Sequence, residues 1–445
     1  MGEVVTAKVV AAKAVAHGIP ARLLPLLLLL ALIPGLARGA DRIPRPEFAS
    51  GYQLPQLQTP APRSQLLAYL DVAALTLSLA VSGWLGLKAR SREGIFILGA
   101  FSIAYFGFFR KGCICPVGSI QNVALALFDP SYALPLTVVI FFALPLVTAL
   151  FIGRSFCAAV CPLGAIQDVV IVKPLRLPRW LSAALGFLPV VYLGLAVLFA
   201  ATGAEFVVCR FDPFIAFYRQ GGSFEMFALG ACFLVLGTVV ARPYCRFLCP
   251  YGAILGWLSR LSYRHVTITP DSCVQCRLCE EACPVDAIRS PAQQIPAPPS
   301  QAEKRAFAAA LLALPLLVAL GAVAGWTLSP TLAQAHPEVR LAAQVQREDA
   351  GQAVGTTLES DTFRASKRTK GELLQSASAS ALRFATGGPV LGGFIALVFS
   401  LTYLGTFFRR RRTDFEPDRG QCVSCGRCFS YCPREHLRRK EAAGA

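Results

Sequence analysis

Seven stretches of this chain are apolar enough to cross a lipid bilayer: 66–87, 95–109, 132–152, 181–203, 224–240, 306–327 and 389–408. A spanning helix needs about 20 residues, with a lower limit near 17. The second stretch is the shortest and has room to continue into the cysteine segment behind it. Composition points the same way. Charged residues are 16%, against about 25% in a soluble domain, and mean hydropathy is +0.54. An ordinary soluble enzyme is excluded, and the apolar content excludes disorder. The net charge of +17 reads as anchoring at the cytoplasmic side of a membrane, not as a nucleic-acid surface. The 4 His residues all lie outside the apolar runs, which argues against a membrane cytochrome with axial His pairs.

The first 40 residues carry a basic lead (Lys8, Lys13, Arg22), an apolar run and small residues at 37–40. That is the layout of a secretory signal peptide or, alternatively, of an uncleaved anchor. Either way residue 41 starts outside. Lys and Arg then alternate in density along the chain. The four span ends read as inside carry 15 of them (Lys88, Arg90 and Arg92; Arg154, Lys173, Arg176 and Arg179; Arg242, Arg246, Arg260 and Arg264; Arg409, Arg410, Arg411 and Arg412), and the three short segments read as outside hold 7. The expected order is therefore a signal or anchor at 1–40, a five-span membrane domain at 41–265 and a first cysteine quartet at 266–300. A two-span insertion at 301–412 with a polar periplasmic loop at 328–387 comes next, and a second quartet at 413–445 closes the chain.

The 16 cysteines decide the chemistry. Cys113-Ile114-Cys115-Pro116, Cys157-x3-Cys161-Pro162 and Cys245-x3-Cys249-Pro250 form an internal repeat, each copy just behind an apolar stretch. In the first two copies the repeat extends to Gln121 and Gln167. Cys273-x2-Cys276-x2-Cys279-x3-Cys283-Pro284 and Cys422-x2-Cys425-x2-Cys428-x3-Cys432-Pro433 are two copies of the bacterial ferredoxin run. Three close thiolates wrap three corners of a cubane, and the fourth, ahead of Pro, turns toward the other cluster. The expected ligand sets are thus exchanged: Cys273, Cys276, Cys279 and Cys432 for one 4Fe–4S cluster, and Cys422, Cys425, Cys428 and Cys283 for the other. Zinc does not need this spacing, and disulfides do not suit the reducing side.

The membrane-edge pairs carry less. Spacing i, i+4 puts two thiols on one face of a helical turn, and Pro restarts the helix at its first turn. Cys157, Cys161, Cys245 and Cys249 together offer four thiolates for an inner-face cluster. A redox dithiol is the alternative. Arg154, Arg242 and Arg246 stand beside them, either to offset cluster charge or simply as anchors. Cys113, Cys115 and Cys209 fall on the outer face, where they could ligate another iron centre with one unknown partner or pair as a disulfide. Cys232, alone in its stretch, reads as packing.

At these residues the chain resembles the NosR/NapH family of membrane iron–sulfur proteins, over roughly 60–290 and 413–435. The resemblance implies electron transfer between the cytoplasmic or quinone side and a periplasmic respiratory system. NosR-type proteins also carry a periplasmic domain with covalent FMN. No matching motif occurs here, so FMN is expected only on a separate flavoprotein or reductase partner. The reading that results is a polytopic α-helical protein of the bacterial inner membrane with a cytoplasmic two-cluster ferredoxin-like (α+β) module. It relays electrons through two 4Fe–4S clusters and one or two further iron centres, with no nucleic-acid partner. The alternatives are a metal-reducing assembly factor, like the CcoG branch of related membrane ferredoxins, and a redox sensor.

Overall fold

The computed structural model describes residues 64–112, 115–172, 174–268, 273–291, 300–353, 355–366, 368–408 and 412–444. The expected signal segment 1–40 and Cys113 lie outside the described residues.

Helix α1 (Gln65–Trp84) runs on through a π-helical turn, Leu85–Ala89, and stops where Arg90 turns left-handed with φ 52°. Helix α2 (Arg92–Ser102) begins behind Ser91, whose side chain accepts a hydrogen bond from the Gly94 amide, and continues as a π turn over Ile103–Phe109. The short second stretch thereby reaches 18 residues. It gains them at its capped start, whereas the expected room lay at its cysteine end.

Helices α3 (Pro116–Phe128), α4 (Leu136–Ile152), α5 (Pro162–Val169), α6 (Arg179–Leu185) and α7 (Leu188–Ala201) follow. Short α8 (Val207–Arg210) and α9 (Ile215–Arg219) lead into α10 (Phe224–Val239), α11 (Pro243–Phe247) and α12 (Pro250–Arg260).

Among the described residues, five helical runs are long and apolar enough to span: Gln65–Ala89, Arg92–Phe109, Trp180–Ala201, Gln301–Ala333 and Lys370–Gly405. Two further stretches expected as spans form shorter apolar helices. The stretch 132–152 yields only the 17 residues of α4, because Pro135 holds the chain extended before it and Gly153 turns with φ 68° behind it. The stretch 224–240 yields the 16 residues of α10, because Val240 is extended and Arg242 is left-handed at φ 50°. Large apolar side chains lie bare along the outside, among them Leu77, Trp84, Leu312, Leu316, Leu320 and Trp326. In a water-soluble fold such a surface would be an association hazard. Against lipid it is the expected outer face.

After helix α13 (Leu278–Ala282) and strand β1 (Ile288–Arg289), the chain rises through α14 (Gln301–Ala333). Helices α15 (Pro337–Asp349) and α16 (Leu358–Ala365) form a cap, and α17 (Lys370–Gly405) returns. The segment expected as a polar loop is therefore largely helical. Thr357 with Ser360, and Thr369 with Glu372, form capping boxes at two of its helix starts, which hydropathy alone does not reveal. Ion pairs Arg364–Glu348 at 2.8 Å, Arg368–Glu338 at 3.0 Å and Lys370–Asp349 at 2.5 Å bind the cap together. The legs α14 and α17 meet backbone to backbone. A Cβ on Gly325 would stand 2.0 Å from the Gly388 carbonyl oxygen, and one on Gly392 would stand 1.9 Å from that of Gly321. Two small-x3-small faces thus interlock, as helix pairs in lipid commonly do.

Strand β2 (Glu416–Pro417) pairs antiparallel with β1, Ile288 opposite Pro417 and Arg289 opposite Glu416. A 3₁₀ turn over Arg427–Tyr431 and helix α18 (Pro433–Gly444) end the chain. The two cysteine quartets, far apart in sequence, are joined by this two-stranded ladder.

Candidate metal centres

The two quartets have matching backbones. Gln275 and Arg277 take φ values of 54° and 63°, and Ser424 and Gly426 take 55° and 73°. These are the same offsets from the first cysteine of each run. Successive left-handed turns fold the chain around a concavity into which backbone N–H groups point. Gly426 adopts this freely, and a Cβ there would also meet Ile95 Cδ1 at 3.0 Å. Arg277 adopts it against the usual preference of a non-glycine residue.

Each concavity is closed by a cysteine of the other run. Cys273, Cys276, Cys279 and Cys432 line one small cavity, with Ile268 and Phe415. Cys283, Cys422, Cys425 and Cys428 line a second. The donor set suits a cluster. Burial pushes the Cys279 and Cys422 thiols up to about 12, so thiolates there need cationic metal to offset them. Among the described residues no three His, Cys, Asp or Glu side chains converge on a single-ion site. A zinc ion would require all ligands within about 2.3 Å of one point.

The repeated Cys-Pro motifs share one construction. Cys115, Cys161 and Cys249 are each the extended residue ahead of a helix whose first residue is Pro: α3, α5 and α12. Before Cys161 the chain makes a π turn, Phe156–Val160, with the Cys161 amide donating to the Phe156 carbonyl at 3.0 Å. The Cys249 amide likewise reaches back five residues, to Tyr244 at 2.8 Å. Such bulges are frequent at functional sites.

Cys157, Cys161 and Cys249 are buried in the main core, and Cys115 and Cys245 pack against it. The side-chain amide of Gln167 fixes the pair of motifs. Its Nε2 donates to Cys245 Sγ at 3.2 Å and its Oε1 accepts from the Tyr244 amide at 3.0 Å. Cys209 lies against the first turn of α3, directly behind Cys115, where a Cβ on Gly118 would lie 3.2 Å from Cys209 Sγ. Cys232 is half-buried in α10 and is not part of the core.

Arginines surround these thiols. Arg242, only 1% exposed, donates to the Cys157 carbonyl at 2.5 Å and to that of Ala158 at 3.3 Å. Arg154 Nη2 lies 3.9 Å from Cys157 Sγ. The Nε atoms of Arg154, Arg242 and Arg427 are buried with no partner. Orphaned donors of this kind beside thiols suit an acceptor such as cluster sulfide.

Asp168 ties the arrangement together, and sequence reading passed over it. It faces Arg92 at 2.5 Å, Arg242 at 3.4 Å and Arg427 at 3.5 Å. Burial alone would raise its carboxyl, but the three guanidinium groups outweigh that and hold it below the usual range. Its one signal in the sequence is its place directly behind Gln167 in the repeat.

Further contacts dock the quartets onto the helices. Arg92 donates to the Cys425 carbonyl at 3.0 Å, Arg154 to that of Gly420 at 3.0 Å and Ser259 to that of Arg419 at 2.6 Å. Arg90 pairs with buried Glu435 at 3.0 Å and stacks over the Phe429 ring at 4.7 Å. Cys283, Cys422 and Cys425 thereby pack against the same core that holds Cys157, Cys161 and Cys249.

Comparison with known proteins agrees with this chemistry. Residues 134–187 and 223–269 match one family described as a 4Fe-4S binding domain, and 266–289 match another of the same description. The first match contains Cys157, Cys161, Cys245 and Cys249. The chain is 25% identical over 158 residues to the putative electron transport protein YccM of Escherichia coli, covering 31% of this chain and 43% of the relative. It is 27% identical over 218 residues to the regulatory protein NosR of Stutzerimonas stutzeri, covering 45% and 29%. It is 27% identical over 158 residues to the methylamine utilization ferredoxin-type protein MauN of Methylobacillus flagellatus, covering 32% and 52%. The chain thus spans about half or less of the length of these relatives. No solved structure matches. By these matches, parts of the chain are similar to 4Fe-4S binding domains and to ferredoxin-type electron transport proteins and NosR.

Proposed function

We propose that this chain relays electrons across the inner membrane. In this reading the exchanged quartets hold two 4Fe–4S clusters in a cytoplasmic ferredoxin-like α+β module, and Cys157, Cys161, Cys245 and Cys249 hold a further iron–sulfur centre. The observation that carries it is the single buried core in which Cys283, Cys422 and Cys425 pack against Cys157, Cys161 and Cys249. One packed core thus joins the two sets.

Bound clusters would supply one-electron carriers whose potentials depend on charge, hydrogen bonds and exposure. The chain's own residues govern those three quantities. Arg154, Arg242 and Arg427 offset negative charge, Gln167 donates to a ligand sulfur, and the core excludes water. The partners in this reading are a cytoplasmic or quinone donor and a periplasmic flavoprotein or reductase. FMN belongs to that partner.

Proteoliposomes test the relay. With full-length protein in the bilayer, cytochrome c trapped inside and dithionite outside, the trapped acceptor should be reduced well above the rate of protein-free vesicles. Cys161→Ser should return the rate to that background. Reduction no faster than in empty vesicles would leave a sensor or assembly role in place of a relay.

A further inference from the structure

The site around Cys157 has a duplicate in the fold. Gln121 and Gln167 each lie six residues after the cysteine that precedes Pro. Gln167 Oε1 accepts from the amide of Tyr244, the residue before Cys245, at 3.0 Å. Gln121 Oε1 accepts from the amide of Val208, the residue before Cys209, also at 3.0 Å. Gly164 faces Cys245 Sγ as Gly118 faces Cys209 Sγ, with built Cβ distances of 3.8 and 3.2 Å. Cys209 is therefore the counterpart of Cys245, and Cys115 that of Cys161.

The sequences behind the two cysteines then align. Cys245-Arg246-Phe247-Leu248-Cys249-Pro250 stands against Cys209-Arg210-Phe211-Asp212-Pro213. Where the first ends in Cys-Pro, the second ends in Asp-Pro. Asp212 is 6% exposed and its Oδ1 accepts from the Phe214 amide at 2.9 Å. In the same way Cys249 Sγ accepts from the Gly252 amide at 3.3 Å.

A second observation points to an occupant. Gln167 Nε2 spends its hydrogen bonds on Cys245 Sγ and the Leu163 carbonyl. Gln121 Nε2 occupies the equivalent place, is fully buried and has no partner. A buried amide donor left without an acceptor is costly, and an acceptor in the duplicated site would satisfy it.

We propose that Cys115, Cys209 and Asp212 are ligands of a second iron–sulfur site of mixed thiolate and carboxylate character, the counterpart of the Cys157/Cys161/Cys245/Cys249 site, with the ligands spaced around a cluster and not converging on one ion. At the place of Cys249, a carboxylate in place of a thiolate keeps one negative charge and puts one hard oxygen ligand on iron. The inference rests on the reading that the all-cysteine set holds an iron–sulfur centre.

Metal analysis and Mössbauer spectroscopy of full-length protein purified anaerobically separate the two. Asp212→Ala and Cys209→Ser should lower iron per chain by the same amount, with the EPR signals of the ferredoxin quartets retained. Asp212→Cys should keep wild-type iron and remove the Mössbauer component of an oxygen-ligated iron. Unchanged iron in Asp212→Ala, while Cys161→Ser loses iron, overturns this inference alone. Unchanged iron in both variants overturns the underlying reading as well. Should Asp212→Ala fail to fold, Asp212→Cys still decides: a Mössbauer spectrum identical to wild type removes Asp212 from the site.

Discussion

Asp168 is the residue on which the most electrostatics converges. It faces three arginines from three segments, and its own side chain is 6% exposed. Removing one partner of a buried ion pair costs roughly 3–5 kcal/mol, because the remaining charge stays buried. Asp168→Ala should therefore loosen the quartets from the helices by about that amount. Hydrogen exchange of residues 420–428 should rise in the variant and stay near wild type in Glu359→Gln, which alters an exposed pair. The sign of the pH dependence follows from the lowered carboxyl. Asp168 contributes fully above the ordinary Asp value of about 3.9, and its contribution is lost as pH falls through the lower value it has in the folded chain. Cysteine exchange belongs to the same scale. Cys432→Ser should perturb the EPR signal of the cluster built on Cys273, Cys276 and Cys279. Loss of the other cluster's signal in its place would mean that each quartet is self-contained.

At the scale of elements, the Cys-Pro signature was the most readable part of the chain. Proline at the first helical position leaves an extended residue before it, and Cys115, Cys161 and Cys249 all take that place. Helix lengths were less readable. Hydropathy registers an apolar stretch but not the turns at Gly153 and Arg242 that cut two of them short. The helical cap over 337–365 escaped for the opposite reason, since its stability comes from capping boxes and ion pairs in a polar sequence. The α14–α17 hairpin yields a prediction of its own. Gly325→Leu would drive a side chain into the Gly388 backbone, and overpacking of this kind costs at least about 1–3 kcal/mol. Thermal unfolding in detergent, followed by Trp326 fluorescence, should shift down for Gly325→Leu. Gly371→Ala, in open space, should shift little.

Over the whole molecule, the sequence spacing pointed to thiol sets, while their succession became visible only in three dimensions. Cys283 and Cys422 are remote in the chain, yet β1 and β2 bring their quartets together. Arginines read as membrane anchors, Arg90, Arg92 and Arg154, also clamp the quartets onto the helices. Gln121, Gln167 and Asp212 gained meaning only once the duplicated frames could be superposed. The account's central claim is that the membrane motifs hold iron in addition to the ferredoxin quartets. Iron and acid-labile sulfide per chain, measured on anaerobically purified protein, test it most directly. The account predicts more than the eight iron atoms of two 4Fe–4S clusters, falling toward eight when Cys161 and Cys249 are both changed to Ser. A value of eight that this double substitution leaves unchanged would contradict it.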